Sequence, residues 1–221
     1  MPDKIPNTDG IEIKDGFEKR YKKLLGKRYD KFIEYCLSFL TRSLRVNTLK
    51  KPVSEIKKRL ESKKWILTQI PWCKEGFWID HKEGRRDIGN TREYKLGYIY
   101  IQEAASLVPP LVLEPEPDDI LLDMCASPGS KTTQIAQYMK NSGLLISNDY
   151  KGSRMRPLGY NVQRCGLTNT VITKMDGEWF GKVQNKFDKV LVDAPCSGTG
   201  AIRKSLKTLR MWNPDSIRRL Q

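Results

Sequence analysis

Apolar positions along the chain fall into two textures. Phe32, Ile33, Cys36, Leu37 and Leu40 recur at helical spacing and predict a helix over Asp30–Leu40. Residues 43–48, Ser-Leu-Arg-Val-Asn-Thr, read as a strand. Pro52 and Ser54 then open a short helix, with Ile56 and Leu60 on its inner face and Lys57, Lys58 and Arg59 toward water. Two more strands are predicted near 65–70 and 76–79, followed by a polar, turn-rich connector over 81–97. Strand, helix, strand, strand describes a small α+β module. From Tyr98 the pattern changes. Ile101, Ala104, Ala105 and Val108 suggest a helix stopped by Pro109-Pro110. Short apolar or β-branched runs at 120–124, 144–147, 170–173 and 189–192 then alternate with helical stretches. Ile135, Ala136 and Met139 mark the inner face of one helix, and Met155, Leu158, Val162 and Cys165 that of another. Repeated strand–helix–strand units predict a parallel, doubly wound sheet with right-handed crossovers.

These patterns divide the chain into a lead-in over 1–30, a small module over 31–97 and an α/β domain over 98–221. The lead-in carries no interpretable signal and is expected to be poorly ordered. At 221 residues the chain is long enough for a core without staples. There is no apolar run of 18 residues, and Met1–Gly10 lacks the apolar centre of a signal peptide. The expectation is a cytoplasmic protein with no membrane association. The five cysteines show no C-x-x-C spacing, which argues against disulfides and against a bound metal. The one histidine, His81, sits in a polar stretch and reads as a surface residue, so a Ser-His triad has little to work with. Chemistry, if present, falls to carboxylates and thiols.

Charge changes the picture more. Lys and Arg number 40 against 26 Asp and Glu, a net charge of +14. The first 100 residues hold 24 basic and 14 acidic side chains, so most of the excess lies there. A polyanion such as nucleic acid is the simplest partner for that field, and a merely solubilising lysine coat is the alternative.

In a doubly wound sheet the ligand lies beyond the carboxyl ends of the strands, so the residues that follow each strand carry the argument. The first strand runs into Asp123-Met-Cys-Ala-Ser-Pro-Gly-Ser-Lys-Thr132, a tight loop entering a helix N-terminus. Free N–H groups there favour an anionic or electron-rich group, and Gly129 permits close approach. A phosphate-binding P-loop is rejected, because Ser130 and Cys125 stand where its glycines belong. Asp149 follows the second strand, 20 residues beyond Gly129, where a dinucleotide fold places an acid on ribose hydroxyls. A helix cap is the simpler alternative. Arg154 either supports Asp149 or a ligand carboxylate, or is solvated. Asp176 follows the third strand and either meets an adenine amino group or forms an Asp-Gly turn. The fourth strand leads into Asp193-Ala-Pro-Cys-Ser-Gly-Thr-Gly200, which joins a carboxylate, a rigid proline and the Cys196 thiol in a shaped loop.

Together these segments, with Gln102-Glu-Ala-Ala-Ser106 and Arg-Met-Trp-Asn-Pro at 210–214, resemble the Nop/Sun family of RNA cytosine-5 methyltransferases, the archaeal tRNA-modifying type above all. The resemblance runs from about Ser43 to Gln221. It implies an enzyme with an incomplete Rossmann-like class I methyltransferase domain of about four parallel strands, preceded by an RNA-recognition-like module. It implies S-adenosyl-L-methionine as donor and RNA, tRNA first and rRNA second, as partner. Cys125, Ala126, Ser127, Pro128, Gly129, Ser130 and Lys131 would surround the methionine part and ribose, Asp149 the ribose hydroxyls and Asp176 the adenine. Asp193 would lie near both donor and cytosine. A thiolate adding at C6 makes C5 nucleophilic, and an acid at N3 takes up developing negative charge, which requires Asp193 to be protonated at that moment. Family RNA enzymes place the nucleophile in a later Thr-Cys segment and use the cysteine matching Cys196 for release; related DNA enzymes use that cysteine for attack. No Thr-Cys dipeptide occurs here, and a truncated chain is the expectation, with a non-catalytic donor- and RNA-binding fragment as the alternative. Arg45 and Asn47 lie in the RNA-recognition-like segment. Trp65, Trp72, Phe77 and Trp78 offer rings for stacking on bases, with the core as the competing place for each.

Overall fold

The computed structural model describes residues 4–8, 10–183 and 186–218. The chain divides into two compact units, Arg42–Ala194 and Met1–Thr41 with Pro195–Gln221. In the latter, helix α1 (Asp15–Leu25) starts with Asp15 and Glu18 and ends with Lys22 and Lys23, charges that complement the helix dipole. Helix α2 is Tyr29–Cys36, shorter than the spacing of apolar residues predicts because Ser38 leaves it to bridge to Lys4. Phe17 is fully buried with Cys36, Ile202, Leu209 and Trp212, and Phe17 and Trp212 meet edge to face at 5.9 Å. Residues 15–25 are therefore not a loose lead-in: α1 seats an aromatic anchor in this unit's core.

In the other unit, β1 (Ser43–Val46), α3 (Val53–Glu61), β2 (Trp65–Gln69), β3 (Gly76–His81), α4 (Arg92–Lys95) and β4 (Ile99–Ile101) build an antiparallel sheet ordered β2-β3-β1-β4. Leu44 pairs with Phe77 on one side and Ile101 on the other. Helix α3 covers this sheet with Ile56 and Leu60, both fully buried. Trp65 and Phe77 are core, Trp78 is half-buried, and Trp72 is 45% exposed.

Three expectations are corrected. His81 is buried, not on the surface: Nδ1 accepts from the Glu83 N–H, so Nε2 donates to the Lys63 carbonyl. The stretch 81–97 is not a mere connector, since Ile88 and Glu93 are buried within it. The apolar residues from Ile99 form β4 and then a 3-10 turn, and Pro109-Pro110 open helix α5 (Val108–Leu113) rather than stop one. A first-turn proline gives up an N–H that has no helical partner in any case.

The parallel sheet comprises β5 (Ile120–Asp123), β6 (Leu144–Asn148), β7 (Thr170–Thr173) and β8 (Lys189–Leu191), in the order β7-β6-β5-β8. Helix α6 (Ser130–Tyr138) joins β5 to β6, and helix α7 (Gly152–Cys165) joins β6 to β7. Leu121, Leu145, Ile135, Ala136 and Met139 form the core between sheet and helix. From β5 the chain winds outward to β7 and then returns to β8 on the other flank of β5. The strand order reverses there, which opens a crevice at the carboxyl ends of the central strands. Among the described residues, no helix is long and apolar enough to cross a membrane.

Candidate functional site

Asp123 is the last residue of β5, and the loop behind it turns into α6. Gly129 caps α6 with φ of +104°, a left-handed conformation that disfavours other residues, and a side chain there would crowd Leu158 of α7 at 3.2 Å. No side chain caps α6, so its first N–H groups are left for water or a ligand. The loop is tied down at Ser127. The Ser127 N–H donates to Asp149 Oδ2 at 3.3 Å, its hydroxyl donates to the Arg154 carbonyl at 2.7 Å, and the Arg154 guanidinium donates to the Ser127 carbonyl. Arg154 also pairs with Asp149 at 3.4 Å. Asp149 is thus a buried carboxylate beside the loop, with Oδ1 taking the Lys151 N–H at 3.1 Å. It accepts the N–H of the residue that precedes α7 as well as bracing the loop.

Asp123 was not singled out by its spacing, yet it is the most buried carboxylate of the group. The Thr132 hydroxyl donates to Oδ2 at 2.7 Å, while Oδ1 is buried with no hydrogen-bond partner among the described residues. Burial pushes this carboxyl up to about 6, against the pull of the Thr132 bond and the Lys131 charge, and Asp193 adds to the push. The rule that exposed Asp149, an acid closing a strand at its carboxyl end, would have found Asp123 too.

The two outer aspartates differ. Asp176 is exposed, and its side chain accepts the Glu178 N–H at 3.3 Å, as a turn-forming Asp does. Asp193 is about half exposed and receives the Lys131 ammonium at 2.6 Å, which links the β8 end to the α6 entry. Thus Lys131 and Asp193 come together, as do Ser127, Asp149 and Arg154, while Asp176 stands apart on its own turn.

The thiols sort by burial. It pushes Cys36 up to about 11 and raises Cys73 and Cys165; Cys125, half-buried, is raised by burial and then by Asp149 and Asp123. Such thiols stay protonated and inert. Cys196 is the exposed cysteine, and it belongs to the unit that includes Pro195–Gln221. Among the described residues, no group of three or more His, Cys, Asp or Glu could hold a metal ion.

Arg45 and Asn47 offer nothing to RNA, because both are buried. Arg45 donates to Gln102 Oε1 at 3.0 Å, Thr133 Oγ1 at 2.8 Å and Gln137 Oε1. Asn47 donates to the Gly97 and Cys165 carbonyls at 2.9 and 2.8 Å. Part of the basic excess is also taken up inside the module, in pairs such as Arg59–Glu55, Lys63–Glu93 and Lys64–Glu83.

Comparison with known proteins adds an independent line. A family model described as 16S rRNA methyltransferase RsmB/F matches residues 110–221, and one for the N-terminal domain of 16S rRNA methyltransferase RsmF matches residues 13–104. The chain is 45% identical over 215 residues to the ribosomal RNA small subunit methyltransferase F of Aliivibrio salmonicida, a match covering 95% of this chain and 46% of the relative. It spans about half the length of the curated relatives it matches. A methyltransferase homolog from Pyrococcus horikoshii superposes with a TM-score of 0.77 at 39% identity, over 86% of this chain and 61% of that one. The fold is also that of NSun6 from Pyrococcus horikoshii with SFG: TM-score 0.77 and 23% identity, over 84% of this chain and 71% of that one.

Proposed function

The chain belongs to the 16S rRNA methyltransferase RsmB/F family, whose methyl donor is S-adenosyl-L-methionine, and from that premise we propose that it serves methyl transfer to C5 of a cytosine in RNA. The observation that carries this reading is the polar frame at the ends of β5 and β6: a glycine-turned loop strapped to the buried Asp149, over the unpartnered oxygen of Asp123. These residues fit the donor. An ammonium group satisfies Asp123 Oδ1, the ribose hydroxyls suit Asp149, and Cys125–Lys131 enclose the methionine part. Arg154 braces Asp149, and Asp176 offers an acceptor to the adenine amino group. When bound, the donor supplies a methyl group on a positively charged sulfonium.

The chain's own residues supply the rest. C5 of cytosine is a poor nucleophile until a thiolate adds at C6. Asp193, protonated and released from the Lys131 ammonium that pairs with it here, would give its proton to N3 as negative charge develops there. Cys196 is the thiol assigned to the cytosine. The family pattern gives such a cysteine the release of product, and the related DNA enzymes give it the attack at C6.

The substrate is narrowed by the relatives. The sequence resemblance favours tRNA, whereas the matched family and its curated members are named for small-subunit rRNA, so rRNA stands first and the cytoplasm is the place of work. The test pairs calorimetric binding of S-adenosyl-L-methionine with transfer of labelled methyl into 16S rRNA and tRNA transcripts. Binding plus label at C5 supports the proposal. Binding without label leaves the donor- and RNA-binding role alone. No binding overturns both.

A further inference from the structure

The donor loop is held from behind by a chain of buried bonds that begins in the antiparallel sheet. Gly97 carries φ of +69° and abuts the Arg164 carbonyl with no room for a side chain, so the turn before β4 presses on the end of α7. Asn47 and the Lys50 ammonium bind the last carbonyls of α7, those of Cys165 and Arg164. Arg164 reaches the other way. Its Nη1 donates to the Tyr94 and Ile99 carbonyls at 2.7 and 3.1 Å, and its guanidinium lies 4.2 Å from the centre of the Tyr94 ring. The remaining edge of the guanidinium, Nε and Nη2, donates to Asn161 Oδ1 at 3.2 and 2.9 Å. With its oxygen claimed, Asn161 turns its Nδ2 toward the loop and donates to the Pro128 carbonyl at 2.9 Å. Asn161 also lies directly behind Gly129, in contact range of any side chain placed there.

We propose that Asn161, oriented by Arg164, is the positioning residue that gives the loop Cys125–Lys131 its donor-binding shape, and that the small sheet thereby sets donor affinity. This rests on the donor reading of the loop. Ser127 is strapped by Asp149 and Arg154, and Pro128 is strapped by Asn161. Two straps on adjacent residues fix both the height and the tilt of the turn. Arg45, bonded to Thr133 and Gln137 of α6, is a parallel tie to the helix that the loop enters. None of these three side chains needs to touch the donor.

The substitution Asn161→Asp tests this. It keeps an oxygen for Arg164, and so retains the buried anchor, but replaces the amide donor with an acceptor facing the Pro128 carbonyl. Two readouts are taken on the 221-residue chain. The first is hydrogen exchange without ligand, expected to quicken at the amides of Ala126, Ser127 and Gly129 while β1–β3 amides keep their rates. The second is calorimetric affinity for S-adenosylhomocysteine, expected to weaken about tenfold for the loss of one buried bond and the strain replacing it. Wild-type exchange and affinity in Asn161→Asp overturn the proposal. So does a uniform rise in exchange across both sheets, which marks a general structural role. A wild-type chain that binds no S-adenosylhomocysteine overturns the donor reading, and with it the claim on affinity, while the exchange pattern still reports whether Asn161 shapes the loop.

Discussion

Four aspartates follow the four parallel strands, and they fall into two pairs. Asp123 and Asp149 follow the inner strands β5 and β6 and are 1% and 3% exposed. Asp176 and Asp193 follow the edge strands β7 and β8 and face water. Among the described residues, β5 and β6 each have a strand on both flanks, and the loop entering α6 is bonded across their ends. The residues around each pair follow suit. The inner pair is bound into the loop by Thr132, Ser127 and Arg154. Among the described residues, the outer pair holds a turn N–H and a lysine.

This contrast can be broken by mutation, the largest effect first. Cys196→Ala, at the exposed thiol, is expected to reduce methyl transfer by ~10³-fold or more without shifting the melting temperature or donor affinity. An accumulated protein–RNA adduct on a denaturing gel would mark Cys196 as the release thiol and require a second, attacking thiol elsewhere, and its absence would mark Cys196 as the attacking one. Asp149→Ala removes a charged acceptor and frees both Ser127 and Arg154. Donor affinity measured by calorimetry should fall about 100-fold, with a loss of stability on the order of 1–3 kcal/mol. An Asp149→Ala chain that keeps its donor affinity would sink the assignment of the inner pair.

Asp123→Asn has an opposite sign on stability. A free aspartate carboxyl titrates near about 4, and burial lifts Asp123 to about 6. A raised carboxyl stabilises the fold fully below the lower value and loses that contribution as pH rises through the higher one. Chemical denaturation should therefore show Asp123→Asn gaining on the wild type between about pH 4 and 6, and then holding an advantage on the order of 2–3 kcal/mol. The same variant should bind the donor less well, because an amide is a poorer partner for an ammonium. Equal stability of the two proteins at pH 7 would refute the burial argument. The smallest effect is expected at Asp176→Ala: a fall in donor affinity of about tenfold or less, and no change in melting temperature, as befits an exposed turn residue.

Much of this site was readable in the chain. The loop from Asp123 to Thr132, the 20-residue step from Gly129 to Asp149 and the shaped loop before Gly200 are local signals, and each lies at the end of a strand as predicted. What escaped was whatever local pattern leaves undetermined. Three residues of β4 are too few to show a period, and Pro109-Pro110 mark a helix start and a helix stop equally well. Asn161 and Arg164 read as ordinary polar positions on a helix, because their partners lie at Pro128, Tyr94 and Ile99.

The sequence by itself determined the elements, their alternation, and the glycine- and proline-shaped loops, because these depend on residues within a few positions of one another. Only the tertiary structure decided which charged and polar groups lose water. Arg45 and His81 look like surface residues in one dimension and are buried in three. Asp123 closes β5 and Asp193 lies two residues beyond β8, and one has its carboxyl lifted by burial while the other sits half in solvent. Burial is a property of neighbours across the fold, and the order β7-β6-β5-β8, which a list of strands does not contain, sets those neighbours.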